Sequence, residues 1–177
     1  MAKPQRGLSL RRRIGGRIVG KSQAGIVQIA SFFVAKCDVE DGDAMTGLRL
    51  QRLAFCAQGL ALALHGKALF PEAMTASSKG PSSWVLDKAL AGGTLPAYDP
   101  RWVSAEESLV LEVVWRVYGR WSGARLGALV RAMPPWSETP RAGVIEHKAM
   151  AGWFQRACNV ADGELAEALA WREKALQ

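Results

Sequence analysis

Histidine and cysteine are scarce in this chain, with two of the first and three of the second. His65 and His147 lack the close spacing of zinc or di-iron ligands, so no metal is expected. Cys37, Cys56 and Cys158 form no Cys-x-x-Cys pair, which points to small buried thiols in a reducing cytoplasm rather than a disulfide framework. Neither histidine has a convincing acid or base neighbour, and no serine sits in a nucleophile-elbow pattern. No catalytic residue and no cofactor are therefore expected. The longest apolar stretch falls short of the roughly 20 residues that span a bilayer, and Arg49 and Arg52 lie in its first turns. A membrane role is not expected either.

Acidic residues are missing from one end. Residues 1 to 36 hold Lys3, Arg6, Arg11, Arg12, Arg13, Arg17, Lys21 and Lys36 without one Asp or Glu, whereas the remaining 141 residues carry 15 basic and 16 acidic side chains. The net charge of +7 thus belongs to an arm and not to the domain. Arg11, Arg12, Arg13, Arg17 and Lys21 are the candidates for nucleic-acid contact, which would be salt-sensitive. The same run also reads as a solvated extension that aids solubility. No aromatic residue precedes Phe32, so a stacking platform for single strands is not indicated.

Two motifs in the arm invite a functional reading. Gly15-Gly-Arg-Ile-Val-Gly-Lys-Ser22 fits the spacing of a phosphate loop, in which backbone amides cradle phosphates. That loop needs a buried strand before it, and Arg11, Arg12 and Arg13 stand there instead. Chance similarity is the stronger reading and nucleotide binding the lesser one. Residues 9 to 37 also imitate a secretory signal, but Gln28 inside the apolar segment and Lys36 beside Cys37 argue for a chain that stays cytoplasmic.

What is abundant is apolar and helical. A 49% hydrophobic fraction over 177 residues suffices for one core, and the expected division is an arm, 1–22, and a helical domain, 23–177. Leu50, Leu53, Ala54, Ala57, Leu60, Ala61 and Leu64 recur at spacings of three and four, which predicts a central helix over 45–66 closed by Gly66. With Leu48, Phe55 and Leu62 on a second line it is apolar nearly all round, as in the middle of a bundle. Ile26, Ile29, Ala30 and Phe33 predict a helix over 24–37. Ser, Gly and Pro crowd residues 71–83, a turn-rich loop with a short hairpin near 68–80. Trp84–Leu90 reads as a short helix. Ser104 and Glu107 form a capping box that starts a helix ending at Gly119. Ser122 caps another that stops at Pro134, and 144–157 and 163–176 read as the last two. The expected fold is mainly α, a compact bundle of six to seven helices.

The central stretch resembles the Panacea domain, the family of SocA-like antitoxins. Leu50, Gln51, Arg52, Leu53, Ala57, Gln58, Gly59, Leu62, Ala63, Gly66, Leu69 and Phe70 fall at matching positions. Lys79-Gly80-Pro81 stands at the family's Lys-Tyr-Gly-Pro turn without the tyrosine, and Val103 to Glu107, Trp115, Tyr118-Gly119, Ser122, Leu126, Leu129 and Pro135-Trp136 follow in order. The resemblance covers roughly residues 24 to 155. This chain departs from it at Leu129-Val-Arg-Ala-Met-Pro-Pro-Trp136, where the family's Thr, His and Glu are replaced. It implies a divergent member that binds and neutralises a protein toxin, or delivers a bound protein to a protease, without catalysis. A nucleic-acid-binding regulator or a phage-encoded inhibitor is the alternative.

Seven tryptophans give the chain interface chemistry, since aromatics near arginine make binding hot spots. Trp84, Trp102 and Trp121, with Arg125, Arg131 and the turn Lys79, Gly80 and Pro81, are the candidates for contact with the partner. Trp136, after two prolines, is expected to be structural.

Overall fold

The long central helix explains the rest of the architecture. In a computed structural model, which describes residues 23–37, 45–93 and 95–177, α2 runs Gly47–His65 and every residue from Arg49 to Leu62 is buried. Thr46 Oγ1 accepts the Arg49 amide at its start, and Gly66, at φ 65°, closes it with an amide donated to Leu62. A helix dry on all sides needs a neighbour on each, and the other elements supply them.

α1 (Ile26–Lys36) lays Ile26, Ile29, Ala30 and Phe33 on α2. A hairpin follows, with β1 (Thr75–Ser77) antiparallel to β2 (Gly80–Ser82) and Ala76 opposite Pro81. It therefore sits a few residues later than the sequence suggested. Gly80, at φ 129°, takes a backbone conformation that a side chain would disfavour. α3 (Trp84–Ala91) crosses the start of α2, and a single 3-10 turn, Pro100–Trp102, leads to α4 (Ala105–Tyr118). The capping box is present: Glu107 Oε2 accepts the Ser104 amide at 2.6 Å and Ser104 Oγ accepts the Glu107 amide at 3.2 Å. α5 (Gly123–Ala132) starts from Ser122, whose Oγ accepts the Arg125 amide.

Two boundaries differ from expectation for identifiable reasons. Pro134 and Pro135 do more than stop α5, because proline is also suited to a first helical turn, and here they start a four-residue helix, α6 (Pro134–Ser137). With α7 (His147–Asn159) and α8 (Gly163–Ala175) the described residues hold eight helices, one more than the periodicity indicated. Gly119 ends α4 at φ −62° rather than in the left-handed region, and a side chain there would run into the Trp115 indole. α7 begins at His147 rather than Val144, because residues 142–145 pair with the free edge of β1. The Ala142 amide donates to Ala76 O at 2.9 Å, the Ala76 amide to Gly143 O at 2.9 Å, and the Ile145 amide to Met74 O at 2.8 Å. Covering that edge removes a row of unpaired backbone groups.

Candidate partner-binding face

The buried helix α2 carries four strongly polar side chains, Arg49, Gln51, Arg52 and Gln58, where an apolar environment makes an unmade hydrogen bond costly. Each holds the backbone of a different neighbour. Arg49 Nη2 donates to Gly119 O at 2.5 Å, at the end of α4. Gln51 Nε2 donates to Ser83 O at 3.0 Å and to Asp87 Oδ1 at 2.9 Å, while its Oε1 accepts the Ser83 amide at 2.8 Å. Gln58 Nε2 donates to Phe70 O at 2.9 Å, and its Oε1 accepts the amides of Leu69 and Phe70 at 2.7 and 3.2 Å. Gly59 is small for a matching reason, since the Phe154 ring of α7 occupies the space a side chain would take.

Arg52 builds the face of interest. Its guanidinium donates to Lys79 O in the hairpin turn at 3.0 Å and to Gly123 O at the start of α5 at 2.8 Å. Gly127, one turn further along α5, leaves room for it: a Cβ there would lie 2.7 Å from Nη1. Gly123, Gly127 and Arg131 are spaced by four and share this side of α5. Burial first, and then the positive charge of Arg131, hold the Arg52 guanidinium below its ordinary pKa. The turn, α2 and α5 are thereby locked into one surface.

The predicted contact residues are placed unequally. Trp84 is 71% exposed at the first turn of α3, with Lys88 Nζ 5.1 Å from its ring centroid. Lys79 is exposed, whereas Gly80 and Pro81 are buried and serve the hairpin. Trp102 is half-buried against the core, edge-on to Tyr98. Trp121 is half-buried as well, meets Tyr118 edge-on and donates its indole N–H to Glu164 at 3.2 Å. Arg125 stacks over the Trp121 ring at 3.6 Å, and Arg131 is exposed. So Trp102 and Trp121 are turned inward, and the exposed set is Trp84, Lys79, Arg125 and Arg131. Trp136 is half-buried and packs against the core.

Sequence reasoning passed over two exposed features. Val85, beside Trp84, is exposed although its residue type suggests core. Arg141 lines a cleft of about 230 Å³ with Ala76, Ser77, Ser78, Trp136, Ser137 and Thr139, a pairing of hairpin and loop that no sequence spacing announces. Arg11, Arg12, Arg13, Arg17, Lys21 and the phosphate-loop pattern 15–22 lie outside the described residues. Among the described residues the one sheet is the antiparallel hairpin, and no group of three His, Cys, Asp or Glu side chains could hold a metal ion. No described helix is long and apolar enough to cross a membrane. The Cys56 thiol, wholly buried in α2, is pushed up to about 12 by burial, which withholds the thiolate that nucleophilic chemistry needs.

His65, at the end of α2, forms a latch with α8. His65 Nε2 lies 2.7 Å from Arg172 Nη2 of α8, and a guanidinium only donates, so this nitrogen must accept and the ring must be neutral. Burial, then Arg172 and Lys67, lower the His65 pKa from 6.5 against the opposing pull of Glu106 and Glu107. As pH falls below 6.5 the unfolded chain takes up this proton before the folded one does, so stability is full above that value and declines below it. Urea titrations between about pH 6.5 and 5, above the main carboxylate range, should show this decline, and His65→Asn should flatten it. An unchanged slope in that variant would remove the latch.

No protein-family model, no curated protein and no solved structure matches this chain.

Proposed function

We propose that the chain is an antitoxin-like protein, a divergent relative of the Panacea domain, that acts in the cytoplasm by binding and neutralising a protein partner without turnover. The same contact surface would serve delivery of a bound protein to a protease. The observation that carries this reading is Trp84. A large aromatic, 71% exposed, stands on a helix start bolted to α2 through Gln51, beside a turn bolted to α2 through Arg52. A rigid support under an exposed indole and flanking cations has the composition of a binding hot spot, with little ordering left to do on association. What supports the family reading is that Gln51, Arg52, Gln58, Gly59, Gly66, Leu69 and Phe70 all have positions in the internal framework. They fix neighbours to the central helix, whereas Trp84 and Arg125 of the partner surface are not among the matching positions and are free to differ.

The uneven charge of residues 1 to 36 favours a second reading, nucleic-acid binding through the arm. One experiment separates the two. The product of the neighbouring gene should be toxic when expressed alone, harmless with this chain, and recovered in a complex with it, and deletion of residues 1 to 22 should preserve all three results. A neighbour that neither harms cells nor forms a complex would overturn the proposal. Salt-dependent duplex binding lost on that deletion would establish the second reading in its place.

A further inference from the structure

We propose that the face formed by the hairpin turn, α5 and the 136–141 loop docks an acidic segment of a protein partner. This rests on the binding reading above and adds the chemistry of what is bound. The argument begins with charge. Residues 73–86 contain one charged side chain, Lys79, and residues 113–137 contain Arg116, Arg120, Arg125 and Arg131 without a single Asp or Glu. The fold splits these arginines. Arg116 and Arg125 lie over Trp171 and Trp121, so their charge is turned toward the α4 and α8 side. Arg131 instead continues the Gly123 and Gly127 side of α5, close enough to Arg52 beneath the hairpin turn to disfavour its charge.

Arg141 reaches the other side of the same hairpin, in the 230 Å³ cleft with Ser77, Ser78 and Ser137. Among the described residues Lys79, Arg131 and Arg141 have no ion pair; the pairs present are Lys36 with Glu112 and Asp99 with Arg101. The nearest carboxylate in sequence, Glu138, lines a different groove with Glu146, Lys148 and Arg156. Like charges gathered without compensation repel one another, and an acidic partner relieves that repulsion while it steers the encounter.

The concavity selects the kind of anion carrier. Its Ser77 and Thr139 hydroxyls are already engaged, with Gly80 O at 2.7 Å and Pro135 O at 2.6 Å, which leaves Ser78, Ser137 and the Arg141 fork. Two hydroxyls and a planar fork suit one carboxylate, bound in bidentate fashion. A nucleic-acid track needs a basic stripe that follows successive phosphates. Here one arginine lines a small hollow and Lys79 follows Ser78, one of its walls, in the hairpin turn, an arrangement that suits a short acidic segment.

Full-length protein titrated at low salt with a labelled poly-glutamate peptide, and separately with a DNA duplex, tests this. The combined Lys79→Glu, Arg131→Glu and Arg141→Glu variant should bind poly-glutamate at least about tenfold more weakly, and the difference should close near about 1 M salt, where the screening length is about 3 Å. All three side chains are exposed, so the fold is kept, and the neutral Gln versions should give an intermediate loss. Lys174→Glu on α8, and Arg11→Glu with Arg12→Glu and Arg13→Glu, should bind as the parent does. Three results overturn the proposal: no poly-glutamate binding by the parent, loss through the arm variant alone, or tighter duplex binding that the face variant abolishes. Failure of the binding reading shows elsewhere, in the missing complex with the neighbouring gene product.

Discussion

Gln58→Leu should remove about 4 kcal/mol of folding stability and lower the thermal midpoint by on the order of 10 °C, although leucine is the more apolar residue. The Gln58 side chain is 1% exposed and reaches the chain eleven and twelve residues ahead, where it meets three backbone groups with donor and acceptor correctly matched. Leucine fills the same space and so leaves little cavity; what it leaves is two amides and a carbonyl with no water to turn to. Each buried unpaired group costs about 1–3 kcal/mol, partly offset by relaxation of the 66–70 exit loop. Gln58→Glu separates hydrogen bonding from shape. A carboxylate still accepts both amides but cannot donate to Phe70 O, and it faces His147, whose Nε2 lies 3.4 Å from Gln58 Nε2. That variant should be nearly as unstable at neutral pH and recover on acidification, when the protonated group can donate again. Chemical denaturation of the three proteins reads this directly, and a leucine variant that unfolds at the parental midpoint would show that Gln58 is not a strut.

The legible parts of this molecule were those governed by local chemistry. Ser104 with Glu107, Ser122 and Gly66 each mark a helix end by satisfying, within a few residues, groups that the helix itself leaves open. The apolar stripe of α2 was legible for the same reason, since its period is a property of the helix alone. The start of α7 was not. Val144 carries a helical pattern in sequence, yet it is drawn into pairing with Thr75 by a strand nearly 70 residues earlier. Arg49 and Arg52 looked like ordinary charges at the head of a helix. Their burial follows from carbonyls at Gly119, Lys79 and Gly123 that only the assembled fold brings to them.

The candidate face was half legible for the same physical reason. Composition picked out tryptophans beside arginines, but which rings remain outside depends on packing partners. Trp121 is claimed by Glu164 and Arg125, Trp102 by Tyr98 and the core, and Trp84 by nothing larger than Lys88. Arg141 stayed hidden because its cleft is closed by Ser77 and Ser78 from a hairpin far away in sequence.

Trp84→Ala should weaken binding to the protein partner by about thirtyfold, about 2 kcal/mol, while moving folding stability by less than about 0.5 kcal/mol. The two halves of that expectation have separate causes. Stability is spared because the ring is 71% exposed, its closest charged neighbour, Lys88, is itself exposed, and α3 is held by Leu86 in the core and by Gln51 at Ser83 and Asp87. Binding suffers because an indole on a fixed backbone loses few rotamers when it is covered, so most of its buried area counts toward affinity. Trp102→Ala supplies the contrast. That ring packs against the core and Tyr98, so its removal should cost about 2 kcal/mol of stability and leave the affinity of the folded fraction unchanged. Calorimetric titration with the partner and denaturation of both variants would place them on opposite axes. If Trp84→Ala instead unfolds easily and binds normally, α3 is a structural prop and the partner must meet another side of the molecule.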